Sequence, residues 1–127
     1  MKNIVIITPV YNDWESFSKL IKEIDKAIVS FKNISFKLIA INDGSREKAP
    51  QLSLPEGIEK IEILNMKINQ GHAICLANGI KYALKNYQFD NLILMDADGE
   101  DRPEEIFDLI DKAKELHNVS VVAKRVK

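Results

Sequence analysis

Apolar positions along this chain change period in a regular way. Asn3–Thr8 (Asn-Ile-Val-Ile-Ile-Thr) is a short continuous apolar run, which predicts a strand buried on both faces. From Glu15 to Ser30 the period lengthens. Phe17, Leu20, Ile21, Ile24, Ala27 and Ile28 recur at helical spacing, which predicts an amphipathic helix. Ser35–Ile41 reads as a second strand. Gly57–Leu64 mixes Ile58, Ile61 and Ile63 with charges and reads as a third, more exposed one. Gly71–Asn86 is helical, with Ile74, Leu76, Ala77, Ile80, Tyr82, Ala83 and Leu84, and Asn91–Met95 is the fourth strand. Pro103–His117 predicts a helix with proline at its favoured first position and Ile106, Leu109, Ile110 and Ala113 inward. Val119–Ala123 closes the series as a fifth strand. Between the second and third strands, Asp43–Glu56 carries Gly44, Pro50 and Pro55 with few apolar residues and reads as a loop. This order predicts an α/β domain with a mostly parallel, Rossmann-like sheet flanked by helices.

Composition narrows the class. The chain has 127 residues, 46% hydrophobic and 29% charged, with net charge −1, the profile of one soluble globular domain. Without a basic excess, nucleic-acid binding is disfavoured. The longest apolar runs, Ile4–Ile7 and Leu92–Met95, are far short of a membrane span, and the N-terminus has no secretory-signal succession. Cytoplasm is the simplest location, with the inner face of the membrane open to a full-length protein. The single cysteine, Cys75, excludes an internal disulfide and a cysteine-based zinc site. Placed in a helix, it reads as a small core residue. Lys81, Lys85 and Lys112 read as solvated helix faces and imply no partner.

Candidate chemistry collects at the strand ends. The fourth strand stops on Asp96-Ala97-Asp98. Two carboxylates there are costly to desolvate without a cation, and Mg2+ commonly takes one or two carboxylates together with substrate phosphates. The bland alternative is a polar turn before the helix at Pro103. The first strand ends in Thr8-Pro9-Val10-Tyr11-Asn12, the second in Asn42-Asp43-Gly44-Ser45, and the third leads through Asn65 to Asn69-Gln70-Gly71-His72. Ligands of open α/β sheets bind beyond the carboxyl ends of the strands. The Asp43 carboxylate could accept from a base imide or a ribose hydroxyl, or could form an Asx turn with Gly44 and Ser45. Gly71 lets backbone approach a ligand at a helix start, where amide groups favour phosphate, or serves only as the helix cap. His72 reads as a solvent-facing first-turn residue.

Taken in order, Thr8-Pro9-Val10-Tyr11-Asn12, Asn42-Asp43-Gly44-Ser45, Asn69-Gln70-Gly71 with Ala77-Asn78-Gly79-Ile80, and Met95-Asp96-Ala97-Asp98 resemble the N-terminal half of the family 2 glycosyltransferases. These are inverting enzymes of the GT-A fold. The resemblance implies that Pro9, Tyr11 and Asn12 line a base pocket, with the Tyr11 ring available to stack. It implies that Asp43 binds base or ribose, that Asp96 contacts ribose or metal, and that Asp98 coordinates Mg2+ or Mn2+ bridging the diphosphate. The donor would be a UDP- or GDP-linked sugar, and the acceptor a polyprenyl phosphate or a glycan. Residues 96–105 look most like the dolichyl- or polyprenyl-phosphate sugar transferases. Gly99 and Glu100 stand where that branch has Leu and Gln, and Arg102 where it has Pro.

An inverting transferase needs a general base, and in the family it lies later in the chain. The sequence stops at Lys127 with no counterpart. The expectation is therefore the donor-binding piece of a longer transferase, its catalytic base unassigned, prone to self-association through uncovered edges. Glu100, Asp101, Glu104 and Glu105 suit a helix's first turn and are not named as base. A calcium loop fails, because positions six and twelve from Asp96 hold Asp101 and Phe107. A dinucleotide fingerprint and a P-loop both fail for want of glycine after the first strand. The remaining alternative is a noncatalytic nucleotide-sugar-binding module of the same fold.

Overall fold

The computed structural model describes residues 2–31, 34–96, 103–105, 107 and 120–122. Strands β1 (Lys2–Val10), β2 (Ile34–Asn42), β3 (Ile58–Asn65), β4 (Asn91–Leu94) and β5 (Ser120–Val122) form one sheet, with helices α1 (Trp14–Ile28) and α2 (His72–Asn86) between them. The strand order is β3-β2-β1-β4-β5, and every neighbouring pair is parallel. The expected α/β class is observed, and the sheet is parallel throughout these pairs.

Strand β1 lies at the centre, and its apolar run serves two cores. Ile4, Ile6 and Val10 join Phe36, Leu38, Ala40 and Ile93 against α1. Val5 and Ile7 join Ile39, Ile41 and Leu92 against α2. A run buried on both faces has no polar alternation to show, as expected of a parallel sheet. Strand β1 continues past the anticipated Thr8 to Val10 because Pro9 is harmless where it stands. The Ile7 carbonyl accepts from Met95 N at 2.9 Å, toward β4, and the Val10 carbonyl from Asp43 N at 2.8 Å, toward β2. Hydrogen-bonding sides alternate along a strand, so the nitrogen of Pro9 faces the β4 side. Strand β4 has already ended there, its last pair being Ile7 with Leu94. The ladder to β2, which carries β1 on to Val10, loses no bond.

Helix α1 begins at Trp14, one residue before the expected start, because Asp13 caps it. The Asp13 carboxylate accepts from Ser16 N at 3.1 Å, and Trp14 is buried edge-on to Phe17 with ring centroids 5.9 Å apart. The helix ends at Ile28, before Ser30, where the chain turns. Residues 43–57 form no helix or strand, as the prolines and glycine suggest. Ala49 and Leu52 from this loop pack onto the α1-side core.

Of the helix expected from Pro103, residues 103–105 and 107 are helical. The anticipated inward residues Ile106, Leu109, Ile110 and Ala113 lie outside the described residues. Phe107, which was not among them, is fully buried. Its ring stands 5.8 Å from Phe31 and 4.6 Å from Phe36. In the fifth strand, Val119 and Ala123 also lie outside the described residues.

Candidate functional site

The sheet lays β2 and β3 to one side of β1, and β4 and β5 to the other. The order reverses between β1 and β4, and in open α/β sheets the ligand crevice opens at that reversal, beyond the carboxyl ends. Asn12, Asn42, Asp43, Asn65 and Asp96 all fall just at or beyond strand ends on that edge.

Asp43 is the hub of this edge. It is 5% exposed, and donors from the loop before α2 surround its carboxylate. Gln70 N donates to Oδ1 at 2.6 Å, Gly71 N to Oδ2 at 3.0 Å and Asn69 Nδ2 to Oδ2 at 3.0 Å. The Cys75 thiol joins them. Burial, and then the hydrogen bond to Asp43, push that thiol up to about 12. A protonated, fully buried sulfur is no nucleophile, so Cys75 is the small core residue expected. A carboxylate offers about four acceptor sites, and these donors engage most of them. Asp43 thus clasps the loops after β2 and β3 together, a duty that its sequence neighbourhood does not disclose. Gly44 completes the clasp. It has φ 71°, and a Cβ there would stand 2.6 Å from Asn69 N and the Ile68 carbonyl carbon.

The side-chain contact that turns this loop, considered for Asp43, is made one residue earlier by Asn42. Ser45 N donates to Asn42 Oδ1 at 3.1 Å, and Asn42 Nδ2 donates to Asn65 Oδ1 at 2.9 Å. Asn12, with φ 60°, ties the same loop to β1. Its Oδ1 accepts from Arg46 N at 2.7 Å and Glu47 N at 3.3 Å, and its own N–H donates to Ser45 Oγ at 2.8 Å. Asparagine suits this work because it tolerates the left-handed region and carries both donor and acceptor. Asn42, Asn65 and Asn69 were not among the expected site residues. The available signal was an amide side chain at strand ends and before a helix start.

Tyr11 follows β1 and is 49% exposed, and Pro9 is half-buried nearby. Across the reversal, His72 Nε2 lies 3.3 Å from Asp96 Oδ1. His72, read from sequence as solvent-facing, is indeed 57% exposed at its side chain yet meets the carboxylate. Gly71 is the N-cap of α2, with φ 96° and no side-chain cap. Its dihedral, and not crowding, demands glycine, since no described atom lies within 4 Å of a Cβ placed there. The structure therefore joins Asp43 to Gly71, and through the adjacent His72 to Asp96, spanning the ends of β2 and β4. Pro9, Tyr11 and Asn12 form a second group tied to residues 45–47. Asp98 lies outside the described residues. Among the described residues, no cluster of three His, Cys, Asp or Glu could hold a metal. Asp96, just past the end of β4, carries the kind of hard oxygen donor that Mg2+ or Mn2+ prefers.

Residues 5–127 match the family described as Glycosyl transferase family 2. The chain is 31% identical over 122 residues to an uncharacterized glycosyltransferase of Synechocystis, covering 94% of this chain and 37% of that protein. It is 30% identical over 128 residues to an uncharacterized glycosyltransferase of Bacillus subtilis, covering 96% and 36%. It is 27% identical over 123 residues to the undecaprenyl-phosphate 4-deoxy-4-formamido-L-arabinose transferase of Klebsiella pneumoniae, covering 94% and 36%. The chain spans little more than a third of the length of these relatives.

Proposed function

This chain belongs to glycosyl transferase family 2, and we propose that it supplies the donor-binding part of an inverting transferase that uses a nucleoside-diphosphate sugar and a divalent cation. The observation that carries the reading is the run Asp43–Gly71–His72–Asp96. It sets a buried carboxylate, an uncapped helix start and a strand-end carboxylate along one edge at the sheet's reversal. A nucleoside diphosphate needs those three things: an acceptor or wall for the base and ribose, backbone amides toward phosphate, and hard oxygen ligands for the cation.

In the reaction, an acceptor oxygen forms a bond to the anomeric carbon as the bond to the donor phosphate breaks. The nucleoside diphosphate leaves with the electron pair, and the acceptor proton passes to a base. The Tyr11 ring stacks on the nucleobase, uridine or guanosine, with Pro9 and Asn12 shaping the pocket beside it. Asp43 stands as the wall for base and ribose while it holds residues 69–71 in place. Asp96 and Asp98 would hold Mg2+ or Mn2+, which would supply positive charge against that growing on the leaving diphosphate. Gly71 and the first turn of α2 face the phosphates. No residue of this chain is assigned as that base. The name of the Klebsiella relative points to a polyprenyl phosphate as acceptor, with a glycan as the alternative.

Calorimetric titration with UDP and GDP, each with Mn2+ and with EDTA, tests the reading. The diphosphate is expected to bind more tightly with metal, and Asp98→Ala to abolish that difference while the fold persists. Asp43→Asn removes the charge and turns an amide donor toward Asn69 and Gly71. It is expected to cost about 1.5–3 kcal/mol in nucleotide binding. Equal affinity with and without metal would overturn the role of Asp98, and parental nucleoside affinity in Asp43→Asn would reduce Asp43 to its clasp.

A further inference from the structure

Helix α2 turns Cys75, Gly79 and Ala83 into the sheet. By helical geometry the positions opposite these are Ala73, Ile74, Ala77, Lys81, Leu84 and Lys85, and all are exposed. This outward stripe is not the usual polar one. Ile74 is 47% and Leu84 60% exposed, and Ile68 in the loop leading into the helix is 64% exposed. Its charge is one-sided as well. From Ile63 to Phe89 there is no aspartate or glutamate, while Lys67, Lys81 and Lys85 are present, in a chain of net charge −1. Helix α1, by contrast, interleaves Glu15, Glu23 and Asp25 with Lys19, Lys22 and Lys26. Carboxylates near α2 are engaged elsewhere. Asp43 is buried in its clasp, Asp96 meets His72, and Glu62 accepts from the hydroxyls of Tyr82 and Tyr87.

We propose that this outward face of α2 docks on an anionic lipid bilayer. Apolar side chains interleaved with lysines on one helical face suit an interface where alkyl groups enter the acyl boundary and ammonium groups reach the headgroup phosphates. A second copy of the chain fits less well, because a two-fold contact would set an acid-free face against itself. Nucleic acid also fits less well, since the stripe carries no arginine or aromatic side chain. Because α2 starts at His72 beside Asp96, docking sets the crevice edge within one helical turn of Ile74.

Co-sedimentation with vesicles tests this, using phosphatidylcholine alone and phosphatidylcholine mixed with phosphatidylglycerol, at low and high salt. The chain is expected to partition onto the anionic vesicles and to lose that binding as salt rises. Each lysine near such a surface changes partitioning about fivefold, so the pair Lys81→Gln and Lys85→Gln is expected to weaken it roughly 25-fold. Leu84→Ser is expected to weaken it about fivefold or more. Both variants change exposed positions, so circular dichroism and nucleotide affinity should match the parent. Failure here is therefore distinguishable from failure of the donor site. No partitioning onto anionic vesicles, equal partitioning onto neutral ones, or variants that bind as the parent does would each overturn the proposal.

Discussion

Helices α1 and α2 cover opposite faces of one sheet on opposite plans. Helix α1 sends large side chains inward, with Phe17, Leu20, Ile21 and Ile24 all buried, and keeps mixed charges outward. Helix α2 sends small ones inward, Cys75, Gly79 and Ala83, and leaves Ile74 and Leu84 in solvent. Small inward residues bring α2 close to the strands. A Cβ on Gly79 would stand 2.7 Å from Ile7 Cγ2 and 3.2 Å from Ile41 Cδ1. The two starts differ in the same sense. Asp13 caps α1 with its carboxylate, while α2 begins on Gly71 with no side-chain cap. One helix is built to fill a core, and the other to set its start at the crevice.

If that division is right, removing bulk from the α1 face should cost most. Phe17→Ala deletes a fully buried ring that also meets Trp14. A loss of about 3–5 kcal/mol is expected, read by urea denaturation. On the α2 face the damaging change is the opposite one. Gly79→Val forces branched bulk against the central strand, with an expected cost of about 1–3 kcal/mol. Should Gly79→Val prove as stable as the parent, the close approach of α2 would be unnecessary and the comparison would fail on that side.

The sequence disclosed the α1 plan better than the α2 plan, for a physical reason. Large residues at helical spacing show which face is inward, so Phe17 to Ile28 could be placed from periodicity alone. In α2 the apolar residues run nearly all round the helix, and the inward face is marked by size. Periodicity of hydrophobicity does not report size. The strands were legible because a buried parallel run is continuous, and only Pro9 shortened the reading of β1, since its neighbour's end cannot be seen in sequence. At the site, Asp43, Gly71 and Asp96 stand on one edge because strand ends in this topology must. What stayed hidden was the wiring: Asn69 and Cys75 on Asp43, Asn12 on residues 46 and 47, and His72 on Asp96. Those contacts join residues far apart in the chain, and no local pattern encodes them.

The difference between the two helix starts can be sharpened by pH. The hydrogen bonds from Ser16, side chain first and backbone second, hold the Asp13 carboxyl below its ordinary value. A carboxylate whose pKa is lowered by folding stabilises the fold above its unfolded pKa, and that contribution is lost as pH falls through the folded value. Asp13→Ala should therefore cost about 1 kcal/mol near neutral pH, the usual worth of an N-cap. The cost should shrink toward zero in acid, where the parent's own cap is protonated. At the start of α2 the cap residue, Gly71, has no side chain of its own to play that part. Thermal melts of parent and variant across the acid range would read the difference directly. A gap between them that stays constant with pH would mean that Asp13 holds α1 by shape and not by charge, and the contrast between a carboxylate-capped start and an open one would lose its electrostatic half.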